Sequence, residues 1–154
     1  MNGTGFQSAL LVLLSLLAGA AIATQVGINA KLGLILKSPL LGTSIAFMSS
    51  FIVTLTIALA ASKQYPNLEA IRSLPVYLWI SGGLLSSFGV VMIYYLSSKI
   101  GIGTTLSYAL TSQLVVSAML AHFGCFDLPT KPVDAVKLTG ITIMIVGVVL
   151  ANCG

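Results

Sequence analysis

The sequence predicts an all-α membrane protein with five transmembrane helices, and its composition, its hydropathy and the placement of its charges support this. Of 154 residues, 57% are hydrophobic and 6% are charged, and the mean hydropathy is +1.07. A soluble domain averages about 25% charged residues, so no water-soluble fold could cover its surface with so few. The seven Lys or Arg and three Asp or Glu lie between the long apolar stretches or near their ends. This placement is expected in lipid, because a charge at the bilayer centre costs at least ~2.5–3.5 kcal/mol.

Five stretches are long enough to span a bilayer, which takes about 20 mostly apolar residues. They must be helices, because lipid offers no partner for backbone amides and the stretches are far too long for barrel strands. We expect them to form a single transmembrane domain over residues 1–154. The predicted helices cover about residues 6–29, 40–61, 74–97, 103–123 and 133–152.

The first predicted helix is apolar from Phe6 onward for longer than the ~7–15 residues of a signal-peptide core. No Lys or Arg precedes it, so we expect it to remain as a transmembrane helix. Near its end, Gln25 and Asn29 are one turn apart and point the same way. These two amides either hold helices together by hydrogen bonds or line a cavity and contact a solute.

The opposite side of the first helix carries small residues. Gly19, Ala23 and Gly27 form a small-xxx-small seam, where another helix can approach closely. The first helix therefore has a packing side and a polar side.

Proline limits the second and third predicted helices. Ser38-Pro39 precedes the second, Pro66 follows it, and Pro75 is tolerated in the first turn of the third. Between these helices, Glu69 and Arg72 have the spacing of a pair on a short surface helix.

Aromatic residues mark both ends of the third predicted helix. Trp79 fits the aromatic belt at the membrane interface. Tyr94, near the other end, fits the same belt or, alternatively, forms an aromatic wall of a binding cavity. Aromatic faces can hold a cationic or lipophilic guest without a formal counter-charge.

The fourth and fifth predicted helices follow turn residues. Gly101-Ile102-Gly103 precedes the fourth, and the proline-containing segment 128–132 precedes the fifth, where Asp134 in the first turn suits the helix dipole. The fourth helix offers Tyr108 and Ser112 on one face and Gln113 on another. We expect these three side chains to contact the solute.

The fifth helix has a stripe of small residues, Gly140, Gly147 and Ala151. We interpret this stripe as a helix–helix contact, including the seam of a dimer. His122, the only histidine, either stabilises the end of the fourth helix through the dipole or takes part in proton coupling, since histidine changes charge between about pH 5 and 8. Cys125 and Cys153 match no metal or redox spacing.

The positive charges are almost evenly divided by a five-crossing topology. Short-loop Lys and Arg normally set orientation, so a near-equal division leaves two interpretations. Either another property fixes a single orientation, or copies insert both ways and pair as an antiparallel, ten-helix homodimer. The face holding the amino terminus receives Lys63, Arg72, Lys131 and Lys137, and the other face receives Lys31, Lys37 and Lys99.

The chain also carries a series of short motifs: Gly19, Gln25–Gly33 (QVGINAKLG), Ser38-Pro39, Ser50-Phe51, Trp79, Gly82–Leu85 (GGLL), Ile100-Gly101, Ser112-Gln113, His122–Gly124 (HFG), Gly140 and Gly147. With them, nearly the whole chain resembles the YdcZ-type, five-helix branch of the drug/metabolite transporter superfamily. Ala121 departs from that family's pattern, in which Asp precedes the HFG motif, and this weakens the case for an Asp–His proton relay.

The resemblance implies a multi-pass protein of the bacterial inner membrane that acts as an antiparallel pair or as a fused ten-helix form. We expect a small-solute transporter, an exporter of a small organic, cationic or lipophilic compound that works by alternating access. Its expected partners are itself, the lipid bilayer and the solute. The alternative is a non-transporting membrane assembly or lipid-organising subunit. No nucleophile–base pair, metal cluster, phosphate loop or basic run is present, so we expect no enzyme, cofactor, metal or nucleic-acid partner.

Overall fold

Five long helices dominate the computed structural model, which describes residues 3–62, 67–127 and 129–153. Every regular element in these ranges is helical, and all but α3 and one short turn are long and apolar enough to cross a membrane. The all-α prediction with five membrane-spanning helices is therefore confirmed, whereas the ten-helix pairing stays a prediction. The elements are α1 (Gly3–Ile35), α2 (Pro39–Ala61), α3 (Leu68–Ser73), α4 (Val76–Ile100), α5 (Ile102–Phe123), a 3-10 turn (Cys125–Asp127) and α6 (Ala135–Asn152).

Except at the end of α1, the helix ends lie within three residues of the predicted ones. Helix α1 continues past Asn29 and through Lys31 to Ile35, because the first strong helix breaker is Ser38-Pro39 and a lysine near a helix end can extend its ammonium to the interface. Asp134 is the N-cap of α6 rather than part of its first turn, and its Oδ1 accepts a hydrogen bond from the Lys137 amide at 2.7 Å.

The chain divides into two compact units, Met1–Lys99 and Ile100–Gly154. In the first unit, a tight turn joins α1 to α2. The Ser38 amide donates to the Gly33 carbonyl at 2.9 Å and the Lys37 amide donates to the Leu34 carbonyl at 3.1 Å. This is the hydrogen-bond pattern of a Schellman motif, and the Ser38 side chain then caps α2 through the Leu41 amide.

Glycine sets the closest approach of α1 and α2. A Cβ added at Gly42 would lie 3.0 Å from both the Cα and the backbone nitrogen of Gly33. The two helices can pack at this distance because neither glycine carries a side chain. The buried residues of the two packed faces are Val26, Ala30 and Gly33 on α1, with Gly42, Thr43 and Ala46 on α2.

In the second unit, hydrogen bonds link α5 to α6 and to the connection between them. The Asn152 amide donates to the Ser107 hydroxyl at 3.0 Å, and the Lys131 backbone amide donates to the Ala121 carbonyl at 2.8 Å. Gly124 ends α5 in the left-handed region, with φ 62°.

Most large apolar side chains of both units face outward. Leu11 is 65% exposed, Phe51 62% and Leu85 72%. In water such a surface would be an aggregation hazard, whereas in a bilayer it is the surface that contacts lipid.

Candidate solute-binding site

A hydrogen bond between side chains joins α1 to α4. The Nδ2 of Asn29 donates to the Tyr94 hydroxyl at 2.8 Å, and it also lies 3.4 Å from the Oε1 of Gln25. Tyr94 is only 3% exposed, so its ring is packed and its hydroxyl needs a partner. Asn29 thus forms an interhelical hydrogen bond, which is one of the two roles that the sequence left open for it. Gln25 is exposed, and the role of both amides as solute contacts stays a prediction.

Tyr94 also lines a half-open cleft of 290 Å³ in the first unit. The cleft lies where α1 ends, α2 begins and α4 ends. Because Asn29 holds the Tyr94 hydroxyl, it fixes one wall of the cleft without lining it. The lining residues are Ala30, Gly33, Leu34, Lys37, Pro39, Tyr94, Tyr95, Ser98 and Lys99.

The cleft carries positive charge, which the sequence alone does not place at a binding site. Lys37 and Lys99 both line it, and the Lys99 Nζ lies 5.8 Å from the centroid of the Tyr95 ring, within the range of a cation–π contact. The available signal was that Lys37 and Lys99 fall on the same membrane face. Whether they line the same cleft depends on how the helices pack, and the number of charges on each membrane face gives no information on that packing.

The predicted contacts on α5 lie in the second unit. Ser112 and Gln113 are exposed and line a shallow, open groove of 420 Å³. The Ser112 hydroxyl donates to the Ala109 carbonyl at 2.8 Å. Tyr108 is 48% exposed and does not line that groove. Their roles in solute binding stay predictions.

His122 lies at the end of α5 and is exposed. Its Nδ1 accepts a hydrogen bond from the Val133 amide at 3.0 Å, and its ring meets that of Phe123 edge-on at 5.0 Å. Through this hydrogen bond His122 stabilises the connection between α5 and α6. Proton coupling through His122 stays a prediction.

The small-residue stripes predicted to pack are open surfaces in the described part of the chain. A Cβ added at Gly19, Gly140 or Gly147 would meet no described atom within 4 Å, and Ala151 is exposed. The remaining members of the α1 seam, Ala23 and Gly27, are half-buried beside the face that packs on α2. The use of these stripes at a dimer seam stays a prediction.

The chain was compared with known protein families, curated proteins and solved structures. Residues 10–150 match the model of one family, described as "Putative inner membrane exporter, YdcZ". No curated protein and no solved structure matches the chain. The match covers nearly the whole chain, including all five spans in whole or large part, and it confirms the resemblance found from the sequence motifs. The chain therefore belongs to the YdcZ family and is a multi-pass protein of the inner membrane.

Proposed function

We propose that this protein exports a small organic solute across the inner membrane by alternating access, as an antiparallel homodimer around one central cavity. The observation that carries the proposal is the hydrogen bond between Asn29 and Tyr94 at 2.8 Å, directly beside a half-open cleft. An amide and a phenol thus lie beside a cleft with both apolar and polar lining residues within membrane-spanning helices, which is a combination suited to a small solute.

The near-equal division of positive charge supports the antiparallel pair. With four positive charges on one face and three on the other, the Lys/Arg rule gives only a weak bias between the two orientations. Many transporters contain two halves of inverted topology around a midplane site. A chain with an odd number of crossings that inserts both ways supplies both halves from one sequence.

Exposed amides within the spans support a second contact surface. Gln25 on α1 and Gln113 on α5 are both exposed. The Oε1 of Gln25 accepts a long hydrogen bond of 3.4 Å from Asn29, and a polar group that lacks a partner in lipid is costly. A solute or the second copy would satisfy these amides. We propose Gln25, Asn29 and Gln113 as solute contacts, with Tyr94 and Tyr108 as aromatic walls and Ser112 as a further hydroxyl contact.

The proposal is tested by flux from proteoliposomes. A thermal-shift screen of small organic compounds on the purified protein identifies a ligand, and efflux of that ligand is then measured for wild type, Gln25→Ala and Asn29→Ala. We expect ligand-specific efflux from wild type and a loss of about tenfold or more in each variant, since each removes a polar contact of about 1.5 kcal/mol.

The control is Gln7→Ala, which removes an exposed amide near the start of α1, far along the helix from the cleft. It should leave efflux unchanged. Efflux no faster than from protein-free liposomes would instead favour the non-transporting assembly or lipid-organising subunit. Wild-type efflux that both Gln25→Ala and Asn29→Ala leave intact would refute the site assignment.

A further inference from the structure

The cleft of the first unit carries two positive charges that the proposed mechanism does not use. Lys37 and Lys99 line it, together with the polar side chains of Tyr94, Tyr95 and Ser98. Both lysines are exposed. Two ammonium groups at one small, half-open cleft repel each other, and the field they produce favours an anion there.

No carboxylate of the first unit is available to neutralise them. Glu69 is the only acidic residue of that unit, and it lies in α3, beyond the far end of α2. Helix α2 has 23 residues, which corresponds to about 34 Å at the rise of an α-helix. This separation is several times the screening length of about 8 Å at physiological salt.

The backbone conformation of Lys37 is a second feature of the cleft. Lys37 has φ 53°, in the left-handed region, at the position of the Schellman motif that glycine usually occupies. A long side chain at such a position is an outlier, and outliers of this kind concentrate at ligand sites. Here the side chain in question is the Lys37 side chain that lines the cleft.

The rest of the cleft is apolar and aromatic. Ala30, Leu34 and Pro39 form its apolar lining, and the Tyr95 ring lies 5.8 Å below the Lys99 ammonium. The volume of 290 Å³ is at the small end of ligand pockets. The lining of the cleft therefore combines two ammonium groups with a small apolar surface.

We propose that this cleft binds an amphiphile that bears one anionic phosphate or carboxylate group. The anionic group lies between Lys37 and Lys99, and the apolar part of the ligand lies against Leu34 and Pro39. The inference deepens the proposed function and rests on it for the role of this ligand as the exported solute. It favours an anionic, lipophilic compound, whereas the sequence predicts a cationic or lipophilic one.

The experiment measures binding rather than flux, so that its failure and the failure of transport are distinguishable. The full chain is placed in nanodiscs of neutral phosphatidylcholine. Binding of decyl phosphate, decanol and decyltrimethylammonium is measured by equilibrium dialysis against protein-free nanodiscs. We expect saturable binding of decyl phosphate, at least about tenfold tighter than that of decanol and decyltrimethylammonium.

Variants of the two lysines test the location. Lys37→Gln and Lys99→Gln should each weaken decyl phosphate binding about fivefold, and the double variant about thirtyfold, from the contribution of one lysine near a membrane surface. Lys31→Gln is the matched control, because Lys31 is exposed on α1 but does not line the cleft. The pair Lys37→Arg and Lys99→Arg should retain binding.

A second binding experiment distinguishes two sources of the anionic group, a lipid headgroup and a free solute. Phosphatidylglycerol added to the nanodiscs either displaces decyl phosphate, which identifies a lipid headgroup as the ligand, or leaves it bound, which identifies a free solute. Both outcomes support an anion site. Equal binding of decyl phosphate and decanol by wild type would overturn the proposal, even if the double variant failed to fold. Unchanged binding in a folded double variant would overturn the proposal as well. The two lysines would then only stabilise the ends of their helices through the helix dipole.

Discussion

At the scale of single residues, Tyr94 connects the polar contacts of the first unit to its cleft. The ring is almost fully buried and lines the cleft, while the hydroxyl accepts a hydrogen bond from Asn29 on another helix. Interhelical hydrogen bonds in membranes average only about 0.6 kcal/mol, because the unfolded chain in the bilayer also finds partners. The bond therefore positions the tyrosine more than it stabilises the fold.

A double-mutant cycle on this pair tests that interpretation. Asn29→Ala and Tyr94→Phe each remove the bond of 2.8 Å, and we expect a coupling energy of about 0.6 kcal/mol, below ~1.7 kcal/mol. The measurement is the free energy of unfolding in detergent micelles for wild type, both single variants and the double variant. Additive effects of the two substitutions would show that the bond is not formed in the membrane protein.

Ser97, also on α4, has a buried hydroxyl that lacks a hydrogen-bond partner within the part of the chain that the structure describes. Removing such a group breaks no hydrogen bond and removes the free-energy cost of burying an unpaired hydroxyl. We expect Ser97→Ala to leave the free energy of unfolding unchanged or to raise it by up to about 1 kcal/mol. The control is Thr105→Val, which removes a buried hydroxyl that donates to the Gly101 carbonyl at 2.8 Å and should destabilise. Marked destabilisation by Ser97→Ala would mean that the hydroxyl has a partner in the membrane.

Two substitutions of His122 separate its structural role from its proposed role in proton coupling. His122→Asn can still accept a hydrogen bond from the Val133 amide but cannot titrate, whereas His122→Ala loses both properties. We expect His122→Asn to retain the wild-type stability and His122→Ala to lose about 0.5–1.5 kcal/mol, because the bond of 3.0 Å is then absent. The check is thermal unfolding together with ligand efflux at pH values from 5 to 8. Proton coupling through His122 requires that His122→Asn abolish the pH dependence of efflux, and a retained dependence would exclude it.

At the scale of elements, the pair of α1 and α2 depends on two glycines. Gly33 and Gly42 bring the backbones into contact beside the tight turn, and this contact positions the cleft at the end of the pair. The Cβ of an alanine at Gly42 would meet backbone atoms of α1, which cannot rotate away as a side chain would.

We therefore expect Gly42→Ala to destabilise the protein by about 1–3 kcal/mol, the usual cost of overpacking. Gly83→Ala on α4 is the matched control, since a Cβ there would meet no described atom within 4 Å. It should be neutral or slightly stabilising, because alanine is the better helix former. Both are measured as free energies of unfolding in micelles. Equal effects of the two substitutions would contradict the close approach of α1 and α2.

Hydropathy and helix breakers predicted all five long helices, because a span of apolar residues in lipid has no alternative to the helix. The predicted end of α1 lies six residues before the observed one, since Lys31 is a charged residue within the helix and charges are not expected inside a span. The spacing of Gln25 and Asn29 predicted a polar pair, but its partner on α4 required knowledge of which helices pack together. For the same reason the sequence could not show that Lys37 and Lys99 meet at one cleft, or that Gly33 and Gly42 rather than Gly19 make the closest contact.

At the scale of the whole molecule, the sparse charges have two consequences. They make lipid the solvent of the five spans, and their near-equal division gives the Lys/Arg rule only a weak bias between the two orientations. The exposed amides and open glycine stripes add surface that a second copy would cover. The central claim is therefore that two oppositely inserted copies together form the exporter.

Labelling of Cys153 tests this claim most directly. In a Cys125→Ser variant, Cys153 is the remaining thiol and it is exposed. A membrane-impermeant maleimide is added to right-side-out or to inverted membrane vesicles. Because the two faces carry nearly equal positive charge, we expect about half of the chains to be labelled in each preparation and all of them after detergent is added. Labelling of all chains in one preparation and none in the other would show a single orientation and contradict the antiparallel dimer.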